Sequence, residues 1–94
     1  MTYAEQNKAI LADIGIYDAL NDFCGKDECE IIDAKTDPEY GYDHVKLFQI
    51  RFSDGEYGLC IYDTKKKSFI EEPDTYEEYG LTPAKVEQKY YFKH

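Results

Sequence analysis

Tryptophan and long apolar runs are both absent from this chain of 94 residues. A membrane-spanning helix needs about 20 consecutive apolar residues, so the sequence predicts no membrane span. Residues 1–12 are polar and have a helical pattern, which does not fit a secretory signal. Cysteine occurs only three times, and an odd number without a signal favours a reduced, cytoplasmic protein.

Catalytic and cofactor motifs are missing as well. The chain has no Gly-x-Ser-x-Gly, no P-loop and no dinucleotide fingerprint. His44 is the only internal histidine, and the adjacent Asp43 would point to the opposite face of a strand. The sequence therefore predicts no enzyme, no catalytic residue and no cofactor. A small enzyme that uses His44 is kept as a hypothesis that ranks behind two binding functions.

The cysteines and acidic residues do not form a pattern typical of a metal site. Cys24 and Cys29 are farther apart than the usual zinc pair, and Cys60 falls in the middle of a predicted strand. The acids between positions 33 and 43 resemble a calcium loop in spacing but lack its glycine and terminal glutamate. We therefore predict no metal, and free cysteines packed as small core residues rather than a disulfide.

Acidic residues are the dominant feature of what remains. Twenty Asp and Glu stand against eleven Lys and Arg, which gives a formal charge of -9, and ten Tyr and five Phe are interleaved with them. Like charge disfavours nucleic acid and anionic lipid as direct partners and favours a basic surface. The apolar fraction of 43% is ordinary, so we expect one compact domain over residues 1–94.

The predicted fold is α+β, with an N-terminal helix, a four-stranded antiparallel meander, a short helical turn and a C-terminal helix. Thr2 and Glu5 fit a capping box at the start of the first helix, Gly15 predicts a bend in it, and Gly25 is a natural C-cap. The remaining boundaries follow from patterning and punctuation. Strands are expected at 28–36, 43–52 and 68–72, the last ended by Pro73, with turns at 37–41 and 63–67, a helical turn from Asp74 to Tyr79 and a helix at 84–92, where a strand is the alternative.

The dipeptide Asp54-Gly55 predicts a two-residue hairpin loop. The resulting register pairs Phe52 with Tyr57, Ile50 with Leu59, Phe48 with Ile61 and Lys46 with Asp63. Six large apolar side chains would then share one sheet face. The core expected from this register contains Ile14, Leu20, Phe48, Ile50, Leu59 and Ile61. The other face, with Val45, Leu47, Cys60 and Tyr62, would be half covered or available to a partner.

The densest group of acids and tyrosines lies between positions 71 and 79. The partner-binding residues predicted there are Glu71, Glu72, Asp74, Tyr76, Glu77, Glu78 and Tyr79. Carboxylates on a rigid body can imitate phosphates, and tyrosine rings can imitate stacked bases. One helical turn would place Tyr76 and Tyr79 on the same side as anchors. In charge and size alone, the chain is similar to small phage-encoded inhibitors of bacterial defence, including some anti-CRISPR proteins.

These observations predict a non-enzymatic acidic binding protein. Its partner would be a basic protein surface, that of a nucleic-acid-binding protein, which it would inhibit by occupying that surface. The alternative is an accessory or immunity-type interaction domain that acts through an apolar sheet face or a homodimer. Strong salt dependence of binding would favour the first hypothesis, and weak salt dependence the second.

Overall fold

A computed structural model describes residues 2–25, 29–36, 39–41 and 43–92. It confirms an α+β arrangement, in which helices precede and follow the strands of one antiparallel sheet along the chain. In chain order the elements are α1 (Tyr3–Gln6), α2 (Lys8–Asp13), α3 (Ile16–Cys24), β1 (Cys29–Thr36), β2 (Val45–Phe52), β3 (Tyr57–Asp63), β4 (Ser68–Thr75) and α4 (Pro83–Tyr90). The strand start expected at Glu28 and the turn expected at Asp37 and Pro38 lie outside the described residues.

The four strands form one sheet in the order β1-β2-β3-β4, and each neighbouring pair is antiparallel. This is the predicted meander, in which every strand pairs with the next one along the chain. β1 and β4 are therefore the two edges of the sheet. Within the described ranges, no helix is both long and apolar enough to cross a membrane.

The N-terminal segment forms three short helices rather than one. Thr2 caps α1, because its Oγ1 accepts a hydrogen bond from the N–H of Glu5 at 3.2 Å. Gly15 has a φ of +78° and separates α2 from α3, which confirms the predicted bend. The break at Asn7 was not predicted; its side chain donates to the carbonyl of Tyr3 at 2.9 Å. Such a local bond competes with helix continuation.

The predicted hairpin register is wrong by one residue. The N–H of Gly55 donates to the carbonyl of Phe52 at 2.9 Å, and the N–H of Phe52 donates to the backbone carbonyl of Glu56 at 2.8 Å. The loop therefore has three residues, 53–55, with Gly55 at a φ of +89° in the position of a glycine bulge. The observed pairs include Arg51 with Tyr57, Gln49 with Leu59, Leu47 with Ile61, and Val45 with Asp63.

This register divides the apolar side chains of the sheet between two cores. The first core, under the N-terminal helices, contains Leu11, Ile16, Leu20, Ile31, Phe48, Ile50, Cys60 and Tyr62. The second core, which includes residues of α4, contains Val45, Leu47, Leu59, Ile61, Tyr76, Val86, Tyr90 and Phe92. The single core expected from the sequence is therefore wrong: Leu59 and Ile61 are buried on the face opposite Phe48 and Ile50. Ile14 is only half-buried, beside the first core.

β4 continues past Pro73, which was expected to end it. Proline has no N–H for a strand ladder, so in sheets it is tolerated on edge strands such as this one. The pairing of β4 with β3 shifts twice, once on each side of Ile61. Such irregularities are typical of sheet edges.

The turn after β4 and the last helix are close to their predictions. Gly80, at a φ of +72°, ends the turn. Its N–H donates to the backbone carbonyl of Glu77 at 2.9 Å, and the N–H of Leu81 donates to the backbone carbonyl of Tyr76 at 2.8 Å. These two bonds form a Schellman motif. Thr75 caps this turn in place of the expected Asp74, since its Oγ1 accepts from the N–H of Glu78 at 3.3 Å. Residues 83–90 are helical, so the strand alternative is wrong there.

Gly55 gives a direct test of the three-residue loop. No atom lies within 4 Å of a Cβ built on Gly55, so a substitution there meets strain only from its positive φ. We expect Gly55→Val to lower the free energy of unfolding by about 1–2 kcal/mol. Gly55→Asn should lower it by much less, because asparagine tolerates positive φ. Urea unfolding of the two variants would measure both changes, and equal losses would contradict the assigned loop.

Candidate functional site

Five exposed carboxylates lie along one end of β4 and in the turn that follows it. We call this set the acidic edge: Glu71, Glu72, Asp74, Glu77 and Glu78. Its backbone is held on both sides, because Glu71 and Asp74 pair with Ile61 and Leu59 of β3 and the Schellman motif closes the turn. The negative charges are therefore presented by an ordered backbone rather than by a long loop.

The acidic edge has no opposing cation in the part of the chain that the structure describes. Ion pairs there join Arg51 to Glu30 at 3.0 Å, Lys89 to Glu39 at 2.7 Å and His44 to Asp63 at 3.9 Å. All three lie outside the acidic edge. The edge therefore projects net negative charge, and a positive surface would meet it with little competition from the protein itself.

Tyr76 belongs to the second core and not to the surface. Its side chain is 5% exposed, and its ring stacks on that of Tyr57 with centroids 6.3 Å apart. Its hydroxyl accepts a hydrogen bond from Nε2 of Gln49 at 3.0 Å, and Gln49 is itself 1% exposed. Burial raises the pKa of Tyr76, although the Gln49 donor acts in the other direction. Tyr76 thus satisfies a buried amide and offers no ring to a partner.

Tyr79 is half-buried and stabilises the acidic edge from within. Its hydroxyl donates to the backbone carbonyl of Glu72 at 2.7 Å, which links the turn to β4. Burial is the main cause that raises the pKa of Tyr79, and the nearby carboxylates of Glu71 and Asp74 add to it. The hydroxyl therefore stays protonated as a donor near neutral pH. The expected pair of tyrosine anchors is not displayed together.

Ile70 is an exposed apolar side chain beside the acidic edge that the sequence analysis did not single out. It is 38% exposed and immediately precedes Glu71 on β4. The sequence analysis placed it inside the short strand expected at 68–72 and gave it no role. The irregular pairing of β4 with β3 around Ile61 accompanies its exposure. It gives the acidic edge an adjoining apolar contact point.

The same features also protect the sheet edge. Exposed edge strands attract other strands, and proteins block this with charges, proline and bulges. β4 has all three, in its carboxylates, Pro73 and two shifts of register. Edge protection alone accounts for carboxylates on β4, but Glu77 and Glu78 lie beyond the strand and extend the charge farther.

His44 and Asp63 form the other polar cluster. The His44 Nε2 lies 3.9 Å from Asp63 Oδ2, while Asp63 Oδ1 accepts the N–H groups of Lys65 at 2.9 Å and Lys66 at 3.0 Å. The Lys66 N–H is the main cause that lowers the pKa of Asp63. Asp63 pairs with Val45 rather than with Lys46 as expected. These bonds organise the turn between β3 and β4.

Among the residues that the structure describes, no group of three or more His, Cys, Asp and Glu side chains is placed to hold a metal ion. Cys60 is fully buried, whereas Cys24 and Cys29 are half-buried. Comparison with protein-family models, with curated proteins and with solved structures gives no match.

The pKa of Asp63 predicts a specific acid sensitivity. Because its pKa is lower in the folded protein, its stabilising effect is present above the ordinary value of 3.8 and is lost as the pH falls through the folded value. We expect the free energy of unfolding of Asp63→Asn to be lower than wild type at neutral pH and to depend less on pH in the acid range. Urea unfolding at several pH values, with the exposed Asp43→Asn as control, would measure this. An unchanged acid dependence in Asp63→Asn would contradict the assignment.

Proposed function

We propose that this protein is a non-enzymatic binding protein that inhibits a basic, nucleic-acid-binding protein by covering its binding surface with the acidic edge. The observation that carries the proposal is the set of five exposed carboxylates within residues 71–78, none of them in an ion pair in the described part of the chain. On this proposal, the carboxylates imitate the phosphates of nucleic acid, as those of an anti-defence inhibitor would.

The density of the charges supports a partner that normally holds nucleic acid. Successive strand residues rise about 3.3 Å, and one nucleic-acid strand carries a phosphate every 3.4 Å or so of its helix axis. Glu71, Glu72 and Asp74 therefore place three negative charges along about 10 Å of β4, although neighbouring side chains point to opposite faces of the strand and do not form a single row. Basic grooves that bind phosphates would attract this concentration of charge, whereas nucleic acid itself would be repelled.

Charge alone does not give a tight complex. Exposed ion pairs contribute about 0–1 kcal/mol each, so the carboxylates chiefly raise the rate of encounter. Affinity needs a buried anchor near the charges. Ile70 takes the place of Tyr76 in that role, because it is exposed next to Glu71 whereas Tyr76 is in the core.

The alternative, an interaction domain with an open apolar sheet face, has less support. Both faces of the sheet carry buried cores, one under the N-terminal helices and one that includes α4. A homodimer formed by pairing two β4 edges would bring like charges and Pro73 together. A homodimer through another surface remains a separate prediction, which sedimentation at micromolar concentration would test.

The partner can be found by capture on the immobilised protein at low and high salt, followed by competition with duplex DNA. The proposal requires a basic nucleic-acid-binding protein whose capture weakens with salt and with DNA. Capture that resists salt and ignores DNA would overturn it and favour the apolar alternative.

Charge reversal in the turn tests the acidic edge itself. We expect Glu77→Lys with Glu78→Lys to slow association with the captured partner about tenfold at low salt, with a smaller effect at high salt. The control, Asp13→Lys with Asp22→Lys, changes the net charge equally on exposed positions of α2 and α3. Stopped-flow or surface kinetics would separate the two. Equal slowing in both variants would show that net charge, not the acidic edge, drives the encounter.

Ile70 should act on dissociation rather than association. We expect Ile70→Ser to speed dissociation about tenfold, since it removes buried apolar contact in the complex while leaving the steering charges intact. Ile10→Ser is a matched control, because Ile10 is 61% exposed on α2 and is not part of the acidic edge. If Ile70→Ser dissociates at the wild-type rate, the anchor lies elsewhere.

A further inference from the structure

Two of the three cysteines are brought together where α3 ends and β1 begins. Cys24 is the last residue of α3 and Cys29 the first residue of β1. Their sulfur atoms are in direct contact, 2.6 Å apart. A covalent S–S bond measures about 2.05 Å, so bond formation needs only a small further approach.

The third cysteine is excluded from this chemistry by burial. Cys60 is 0% exposed in the first core, and burial raises its pKa, with smaller effects from Cys29 and Cys24. The thiolate is the reactive form of cysteine, so Cys60 should stay an inert thiol. Cys24 and Cys29 are both half-buried, and Cys29 lines a surface groove with Ala4, Tyr17 and Asn21. A small thiol or disulfide can therefore reach the pair.

We propose that Cys24 and Cys29 form a reversible redox site that closes to an intrachain disulfide by exchange with a small disulfide such as glutathione disulfide. One cysteine thiolate attacks a glutathione sulfur, forms a mixed disulfide and releases the first glutathione. The other cysteine thiolate then attacks the cysteine sulfur of that mixed disulfide and releases the second glutathione. The protein is oxidised by two electrons, glutathione disulfide is reduced, and the two cysteine protons end on the released thiols.

The disulfide would join the C-terminal end of α3 directly to the edge strand β1. α3 buries Ile16 and Leu20 in the first core, so the link would restrain a helix on which that core depends. A disulfide lowers the conformational entropy of the unfolded chain and so stabilises the folded state relative to it. We expect oxidation to raise the melting temperature by about 5–10 °C and reduction to reverse the rise.

The test uses the full chain, incubated with excess glutathione disulfide and then denatured, alkylated and mapped by mass spectrometry. We expect a loss of two hydrogen atoms, a Cys24–Cys29 peptide link and a single alkylated thiol at Cys60. Three alkylated thiols, a stable glutathione adduct on Cys24 or Cys29, or any link through Cys60 or between chains would overturn the proposal.

Two single variants sharpen the result. Cys60→Ser should still form the link, and Cys29→Ser should stop at a glutathione adduct on Cys24. Cys60→Ser places a hydroxyl in the first core and can fail to fold. The wild-type peptide map and the reversible shift in melting temperature then decide the matter without it, because neither depends on a variant.

Discussion

The loop at residues 53–55 is the constraint on which the rest of the structure depends. Its third residue, Gly55, takes a positive φ that makes the loop one residue longer than the shortest hairpin loop. Side chains alternate between the two faces of a strand, so one residue of register changes which partners meet. Phe48 thereby lies opposite Cys60, and Leu47 opposite Ile61. Each face of the hairpin becomes apolar, and each needs a cover.

The helices supply these covers from opposite ends of the chain. On the first face, the Tyr62 hydroxyl donates to the Ile14 carbonyl at 2.8 Å, beside the turn at Gly15 where α2 meets α3. On the second face, Val86 and Tyr90 of α4 lie in the second core together with Tyr76. The Tyr76 hydroxyl accepts a hydrogen bond there from Nε2 of Gln49. Losing a hydrogen bond to a buried amide is costly, so this bond helps to hold Tyr76 inside. The acidic edge is what remains outside when Tyr76 is in place.

Local signals in the sequence were sufficient for much of the fold but not for the register. Thr2 and Thr82 cap helices through their own hydroxyls, and Gly80 ends a turn by its positive φ; each depends on near neighbours only. The hairpin loop differs, because Asp54-Gly55 fits a two-residue or a three-residue loop. Apolar residues at both odd and even positions of β2 gave no preference between them. At the site, exposure of the carboxylates followed from their charge, whereas tyrosine suits core and surface alike. The approach of Cys24 to Cys29 depends on how α3 packs against β1, which their separation in sequence does not specify.

The thiol pair and the acidic edge lie at opposite edges of the sheet, yet α3 contacts both sides. Its C-terminal residue Cys24 meets β1, while the preceding Phe23 packs edge-on against Phe69 of β4, with ring centroids 6.3 Å apart. Phe69 precedes Ile70. A change at one site can influence another only if the element between them has two arrangements that each site favours differently. α3 lies between the two sites, as such an element must. A disulfide that only rigidifies α3 in its present place would leave the acidic edge unaltered, whereas one that shifts Phe23 would displace Phe69 and, with it, the apolar contact beside the carboxylates.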